Sequence, residues 1–174
     1  MATGPGGQVK LYLASRQICV IGSESRLGLP GADGVARLTG GRARFRLPHA
    51  TGAPGRAGEK FRVLTPNAVA AVRGTDYFVS YLGLLGETEI VNFDGTVRFQ
   101  NRAKPKDERV VPTGHWGGLG GRFGGTIAPL IKLPANVLSV FSQGLTVPTD
   151  PGAAPPGMKF SPQPGLYGEL IPAE

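Results

Sequence analysis

The sequence predicts an all-β fold of many short strands joined by turns. Three observations predict it. Glycine (28) and proline (16) together make about a quarter of the 174 residues, and these are the two poorest helix residues. The hydrophobic fraction of 40% is enough for a core. Apolar residues recur with period two, the strand pattern, through most of the first 113 positions. No apolar run approaches the roughly 18 residues of a membrane-spanning helix.

The strands read in order. Val9, Leu11 and Leu13 alternate with Lys10 and Tyr12, and Ile18-Cys19-Val20-Ile21 is an apolar run closed by Gly22. Leu27 and Leu29 flank Gly28, and Pro30-Gly31 and Asp33-Gly34 are turn signals. Val35–Leu38 and Arg42–Leu47 read as two strands. In the second, Ala43, Phe45 and Leu47 form one face and Arg42, Arg44 and Arg46 the other. A row of cations like this also discourages edge-to-edge pairing. Residues 48–58 form a loop. Phe61, Val63, Ala68, Ala70 and Val72 are spaced by two around a Thr65-Pro66 interruption. Tyr77, Val79 and Tyr81 face one side and Phe78 and Leu82 the other, the pattern of a strand covered on both sides. Thr88–Phe93 and Thr96–Phe99 flank Asp94-Gly95, a tight-turn pair that predicts a hairpin. Lys104–Asp107 is a polar turn and Val110-Val111 starts a last short strand.

After Gly114 the composition changes. Residues 114–125 hold seven glycines, and residues 148–174 hold seven prolines. Ala135–Gln143 is the one helix candidate, with Val137, Leu138 and Phe141 on one side and Gly144 as its stop. The division expected is a β domain over 8–116 and a Gly/Pro-rich extension over 117–174, with a short helix near 135–143. The proline-rich tail reads as extended or polyproline II. It also carries Met158, Phe160, Leu166, Tyr167, Leu170 and Ile171, too apolar for a purely solvating segment. Phe160, Leu166, Tyr167, Leu170 and Ile171 are therefore expected to dock, on this chain's own domain or on a partner.

The net charge is +7, and the excess is local. Residues 35–75 carry Arg37, Arg42, Arg44, Arg46, Arg56, Lys60, Arg62 and Arg73 against Glu59 alone. Such a segment attracts nucleic acid, anionic lipid or an acidic protein face, or it is a solvated strand face. Cys19 is the only cysteine, so there is no intramolecular disulfide and no cysteine-based zinc site. Its apolar strand context makes it a buried structural thiol. The N-terminus, Met-Ala-Thr-Gly-Pro-Gly-Gly, has neither the basic nor the apolar region of a secretory signal. Three readings stay open: a cytoplasmic protein, a start after a removed signal, or a misplaced start.

Residues 61–101 carry a family resemblance. Thr65-Pro66 is followed by Ala70-Ala71-Val72-Arg73-Gly74-Thr75, with the aromatic Tyr77 two residues beyond, and then by Val91-Asn92-Phe93-Asp94-Gly95-Thr96-Val97. This pattern resembles the FecR domain family, with Phe93 in place of a valine. About 100 residues are covered. The resemblance implies a twisted, solenoid-like stack of short strands, a non-catalytic role and a place outside the cytoplasm, in the periplasm or cell envelope of Gram-negative bacteria. Regulators of this family carry an anti-sigma segment and a transmembrane helix ahead of the domain, and neither is in this sequence. That leaves the more general role of a protein-interaction module in the envelope. Arg73, Gly74, Thr75 and Gly95 are the structural motif it points to. A bend at Gly74 suits a glycine, and Arg73, within an apolar strand pattern, needs a carboxylate or carbonyl partner and reads as a clamp on a neighbouring turn.

Enzyme chemistry finds little footing. His49 lies in a Pro/Gly loop and His115 beside Trp116, with no Ser, Cys or Asp at a suggestive spacing. The glycine run has neither phosphate-loop nor dinucleotide spacing. Gly120–Gly125 faintly resembles an RGG nucleic-acid segment, but close packing of a glycine-rich chain against another backbone is the favoured reading. No catalytic residue, metal site, cofactor or small-molecule substrate is expected. Two functions remain, beside a third that the resemblance implies, a remnant of a FecR-type signal-relay regulator. One is a scaffolding or interaction module whose partners are other proteins of an envelope complex, copies of itself included. The other is a polyanion binder acting through Arg42, Arg44 and Arg46, with nucleic acid the less favoured ligand.

Overall fold

A computed structural model describes residues 1–13, 17–31, 33–48, 61–143 and 145, and the backbone of 158–161 and 169–172. It is the all-β fold expected, a curled half-barrel sheet with one short α-helix among the described residues. The strands are β1 (Val9–Leu13), β2 (Gln17–Ile21), β3 (Arg26–Gly28), β4 (Val35–Arg46), β5 (Phe61–Leu64), β6 (Ala68–Val72) and β7 (Asp76–Leu82). They continue as β8 (Glu87–Asp94), β9 (Thr96–Asn101), β10 (Glu108–Pro112), β11 (His115–Leu119) and β12 (Ile131–Lys132). Helix α1 (Ala135–Ser142) follows, then β13 (Met158–Ser161) and β14 (Glu169–Pro172).

The order across the main sheet is β10-β9-β6-β5-β4-β7-β8-β11-β12, with β1, β2 and β3 branching off. Strand β4 holds the two halves together. Its first residues pair with β3 and, in parallel, with β5, while Gly41–Arg46 pair with β7 and Ala43–Arg46 with β2. The sequence reading split this stretch in two. The chain instead bends at Gly41, whose φ of 78° lets one strand change neighbours without ending. The same placement makes Arg42–Arg46 an interior segment, paired with β7 and in part with β2.

The residues of period-two alternation turn inward together. Ala43, Phe45, Phe61, Val63, Ala70, Tyr77, Val79, Ile90, Val97 and Phe99 belong to one core drawn from both halves of the sheet. Phe45 is at its centre, with ring centroids 5.3 Å from Phe61 and 5.6 Å from Tyr77. Cys19 and Tyr77 are buried there, and burial pushes the Cys19 thiol and the Tyr77 phenol far above their ordinary ranges. Cys19 is thus a small apolar side chain in practice.

The Asp94-Gly95 pair does not make a hairpin. β8 pairs with β7 and β11, whereas β9 pairs with β6 and β10. The turn is a corner that carries the chain from one half of the sheet to the other. Gly74 (φ 62°), between β6 and β7, and Gly114 (φ 76°), between β10 and β11, mark the same change of neighbours. A Cβ on Gly95 would lie 2.5 Å from the Gly74 carbonyl oxygen, so the two corners stack in direct contact. This is the stacked-turn architecture that the resemblance implied.

The expected division at 116 falls inside β11. Gly117 and Gly118 pair with Ile90 and Glu89 of β8, and Ile127 is part of the main core. Residues 1–3 also join the body, through the Met1 amine on the Leu27 carbonyl (3.0 Å) and an Ala2–Arg26 bridge. The glycines of β11 make room for rings. A Cβ on Gly118 would sit 2.6 Å from the Trp116 ring and 2.8 Å from that of Phe123. In the tail, β13 and β14 form a separate antiparallel pair, Phe160 opposite Leu170 and Lys159 opposite Ile171, a pairing the sequence did not predict. Leu166, Tyr167 and all side chains of the tail lie outside the described residues, as do the 48–58 loop beyond Pro48 and the helix stop at Gly144.

Candidate functional site

The strand registers assemble an outer face on β1, β2, β4, β7, β8 and β11. One row across it reads Lys10, Val20, Arg44, Phe78, Val91 and Trp116, and the next reads Tyr12, Ile18, Arg46 and Asp76. The apolar members form a second core, closed by Leu145 and by Leu138 and Phe141 of α1. The Phe78 and Phe141 rings meet edge to face at 5.4 Å. The face is therefore covered by the helix that the 135–143 pattern predicted.

Arg44 lies in the middle of this row. Its Nε donates to Asp76 Oδ1 at 2.8 Å and its Nη2 to Asp76 Oδ2 at 2.9 Å. Nη1 donates to the Leu145 carbonyl at 3.2 Å, and the guanidinium stacks 4.4 Å from the centre of the Phe93 ring. The Arg44 and Asp76 side chains are only 13% and 11% exposed. A two-pronged pair of this kind is strong and directional. Arg44 is thus spent on joining β4, β7, β8 and the segment after α1. Arg46 Nε is 4.0 Å from Asp76 Oδ2. Arg42 is exposed, its stem lying over Gly22. The three arginines share one face, as predicted, but Asp76 partly neutralises it. The alternation showed the arginines; nothing in it could name Asp76, Phe93 and Leu145 as their partners.

The motif residues serve the corners. Thr75 Oγ1 donates to the Thr96 carbonyl (3.3 Å), and the Leu47 amide donates to the Thr75 carbonyl (2.9 Å). Asn92 Nδ2 donates to the Gly95 and Val111 carbonyls, both at 2.9 Å, tying two corners together from within. Thr75→Val, which keeps the shape and removes the donor, is expected to cost about 1 kcal/mol, read as a shift in urea midpoint at unchanged slope. Arg73 is not the clamp expected. β6 ends at Val72, and the bend at Gly74 leaves Arg73 exposed with no hydrogen bond or ion pair to the described residues.

The glycine run is ordered by charge. Arg122, in the 3-10 turn Gly121–Phe123, reaches Glu87 Oε2 and Glu89 Oε1, each at 2.9 Å, and stacks 4.7 Å from the Phe123 ring. A Cβ on Gly120 would collide with the Glu87 side chain, so only glycine fits there. This is close packing against side chains, in place of the backbone contact expected. Among the described residues no three His, Cys, Asp or Glu side chains gather as a metal site, and His115 Nδ1 lies 2.9 Å from the Thr113 carbonyl. His49 lies outside the described residues. No helix among them is long and apolar enough to cross a membrane.

Comparison with solved structures places this architecture among known folds. Two crystal structures of a candidate anti-sigma factor from Parabacteroides distasonis ATCC 8503, at 1.65 and 2.50 Å resolution, superpose with TM-scores of 0.67 and 0.66. Sequence identity is 15% and 14%, so the likeness is one of fold. Each covers 83% of this chain, which spans 64% of theirs. No curated protein matches the chain. The family model described as FecR protein matches residues 1–98, from the N-terminus into β9 and through every motif residue named above, and the chain belongs to that family.

Proposed function

We propose that this chain is a non-catalytic, FecR-type module that binds protein partners in the bacterial cell envelope and relays a signal between them. The observation that carries this reading is the family match over residues 1–98. The fold it shares with a candidate anti-sigma factor favours relay over static scaffolding. The way the family motif is used also supports it. Gly74, Thr75 and Gly95 build corners, and Arg44 and Asp76 hold the closing helix, so these residues make a rigid body that presents surfaces. The tail beyond this body, with Phe160, Leu166, Tyr167, Leu170 and Ile171, is the segment that docks on a partner.

The structure sets where a truncation must begin. Leu145 is buried and accepts the Arg44 hydrogen bond, so it belongs to the body. Deletion of residues 146–174 is expected to leave the thermal unfolding of the body unchanged while abolishing crosslinking to the envelope protein that the full chain captures in its host. Equal capture by both forms would remove the tail from the reading. If the full chain instead captures nucleic acid, with affinity falling steeply as salt rises, the module is a polyanion binder and the protein-relay reading fails.

A further inference from the structure

The two halves of the main sheet differ in how their outer faces are covered. Over β4, β7 and β8 the outer face is closed by α1 and Leu145. Over β5, β6, β9 and β10 its residues belong to neither core, and among the described residues no helix or strand closes it. One row across this second face reads Arg62, Ala71, Arg98 and Val110, and the next reads Leu64, Val69, Gln100 and Glu108. Arg62, Arg98 and Val110 are exposed, and Leu64, Val69, Ala71 and Gln100 are half-buried. The short Ala71 side chain between Arg62 and Arg98 leaves a shallow trough about 10 Å wide, two strand spacings.

The face stays basic when every acid is counted. Residues 61–73 carry Arg62 and Arg73 and no acid. Residues 96–112 carry Arg98, Arg102, Lys104, Lys106 and Arg109 against Asp107 and Glu108. Glu108 is taken by Arg98 at 2.6 Å. Asp107 is turned to the body, accepting from Asn101 Nδ2 (3.1 Å) and the Ile127 amide (2.9 Å). At the β4 border Asp33 and Arg37 face each other at 4.0 Å and cancel. Asp94, at the Gly95 corner, is one further acid and does not reverse the excess. Arg62 and Arg73 have no hydrogen bond or ion pair to the described residues. Arg73 comes two residues after Ala71, diagonal to Arg62 and about 7–8 Å from it. Two like charges this close repel until an anion lies between them. The side chains among these cations are aliphatic. Single-stranded nucleic acid is held by stacking on rings, and the rings of these strands, Phe61 and Phe99, lie in the core.

We propose that this face docks an acidic, aliphatic-rich segment of a partner protein, with carboxylates on Arg62 and Arg73 and aliphatic side chains over Ala71, Val69 and Leu64. The proposal rests on the protein-partner reading and names the partner's chemistry. The probe is a peptide of repeated Glu-Glu-Val, titrated into the full chain in parallel with oligothymidylate of equal charge. The peptide is expected to bind, more weakly as salt rises. Arg62→Glu/Arg73→Glu should weaken it about tenfold or more. Both arginines are exposed, so thermal unfolding of this variant should match the parent. Lys10→Glu/Arg42→Glu makes the same change of net charge at exposed positions on the other half of the sheet, and its affinity for the peptide should stay within about twofold of the parent's. Absence of peptide binding overturns the proposal. So does an equal loss in both double variants, which would reduce the effect to net charge. Tighter binding of the oligothymidylate would make the face a nucleic-acid surface and also overturns it. Failure here, with capture of an envelope protein in the host intact, loses this face and keeps the relay reading; loss of both removes the reading on which it rests.

Discussion

Gly41→Ala is expected to destabilise the protein by about 3 kcal/mol, whereas Gly86→Ala should cost only about 1 kcal/mol. Both glycines have left-handed φ, 78° and 59°, so both substitutions carry the same conformational cost of about 1–2 kcal/mol. They differ in the space around them. A Cβ on Gly86 meets nothing within 4 Å, whereas one on Gly41 would collide with Ser25 Oγ and lie 2.7 Å from the Glu24 carbonyl oxygen. Ser25 cannot retreat. It is buried, and its one hydroxyl proton is shared between the carbonyls of Ser23 (3.0 Å) and Arg42 (3.1 Å) while its oxygen accepts from the Arg42 amide (2.9 Å). The clash therefore reaches the bend on which β4 passes from one half of the sheet to the other. Urea unfolding followed by Trp116 fluorescence measures both variants, and equal losses would show that the bend carries no packing constraint.

Asp76→Ala is expected to cost about 3 kcal/mol, because it strands a guanidinium inside the apolar row of Val20, Phe78 and Val91. The loss should also have a location. Without Asp76 the guanidinium is no longer aimed at the Leu145 carbonyl or held over Phe93, so the end of α1 should become sensitive to protease before the strands unfold. Arg44→Met/Asp76→Leu should be more stable than Asp76→Ala alone, since replacing both partners with apolar side chains leaves no buried charge unmatched. If the double variant instead loses the sum of the two single losses, the two residues are not coupled. If the helix end stays protected in Asp76→Ala, the clamp does not hold it.

The inward and outward faces of the strands were legible in the sequence. Ala43, Phe45 and Leu47 against three arginines, and Phe61, Val63, Ala68, Ala70 and Val72 along β5 and β6, turn as their alternation requires. Less legible were positions where the signal depends on a side chain that is missing. Gly117 and Gly118 belong to a strand, but a glycine pair has no face to alternate, so the run looked like the start of an extension. Arg73 looked buried because apolar neighbours precede it, yet one residue past the strand end the chain turns and the side chain meets water. The Arg44–Asp76 pair joins residues 32 apart in sequence, and no local spacing points from one to the other.

By itself the sequence determined the strand class, the buried faces of the alternating strands and the bend at Gly74, because alternation and left-handed φ are local properties of the chain. Only the tertiary structure decided which strands are neighbours. Backbone hydrogen bonding is the same for every residue pair, so Asp94-Gly95 serves a hairpin or a corner equally well. Burial across the whole core, with Gly95 resting on Gly74, selects the corner. The same closure brought Asp76 and Leu145 to Arg44, one of the three arginines of the row, and made it a tie to the segment after the closing helix.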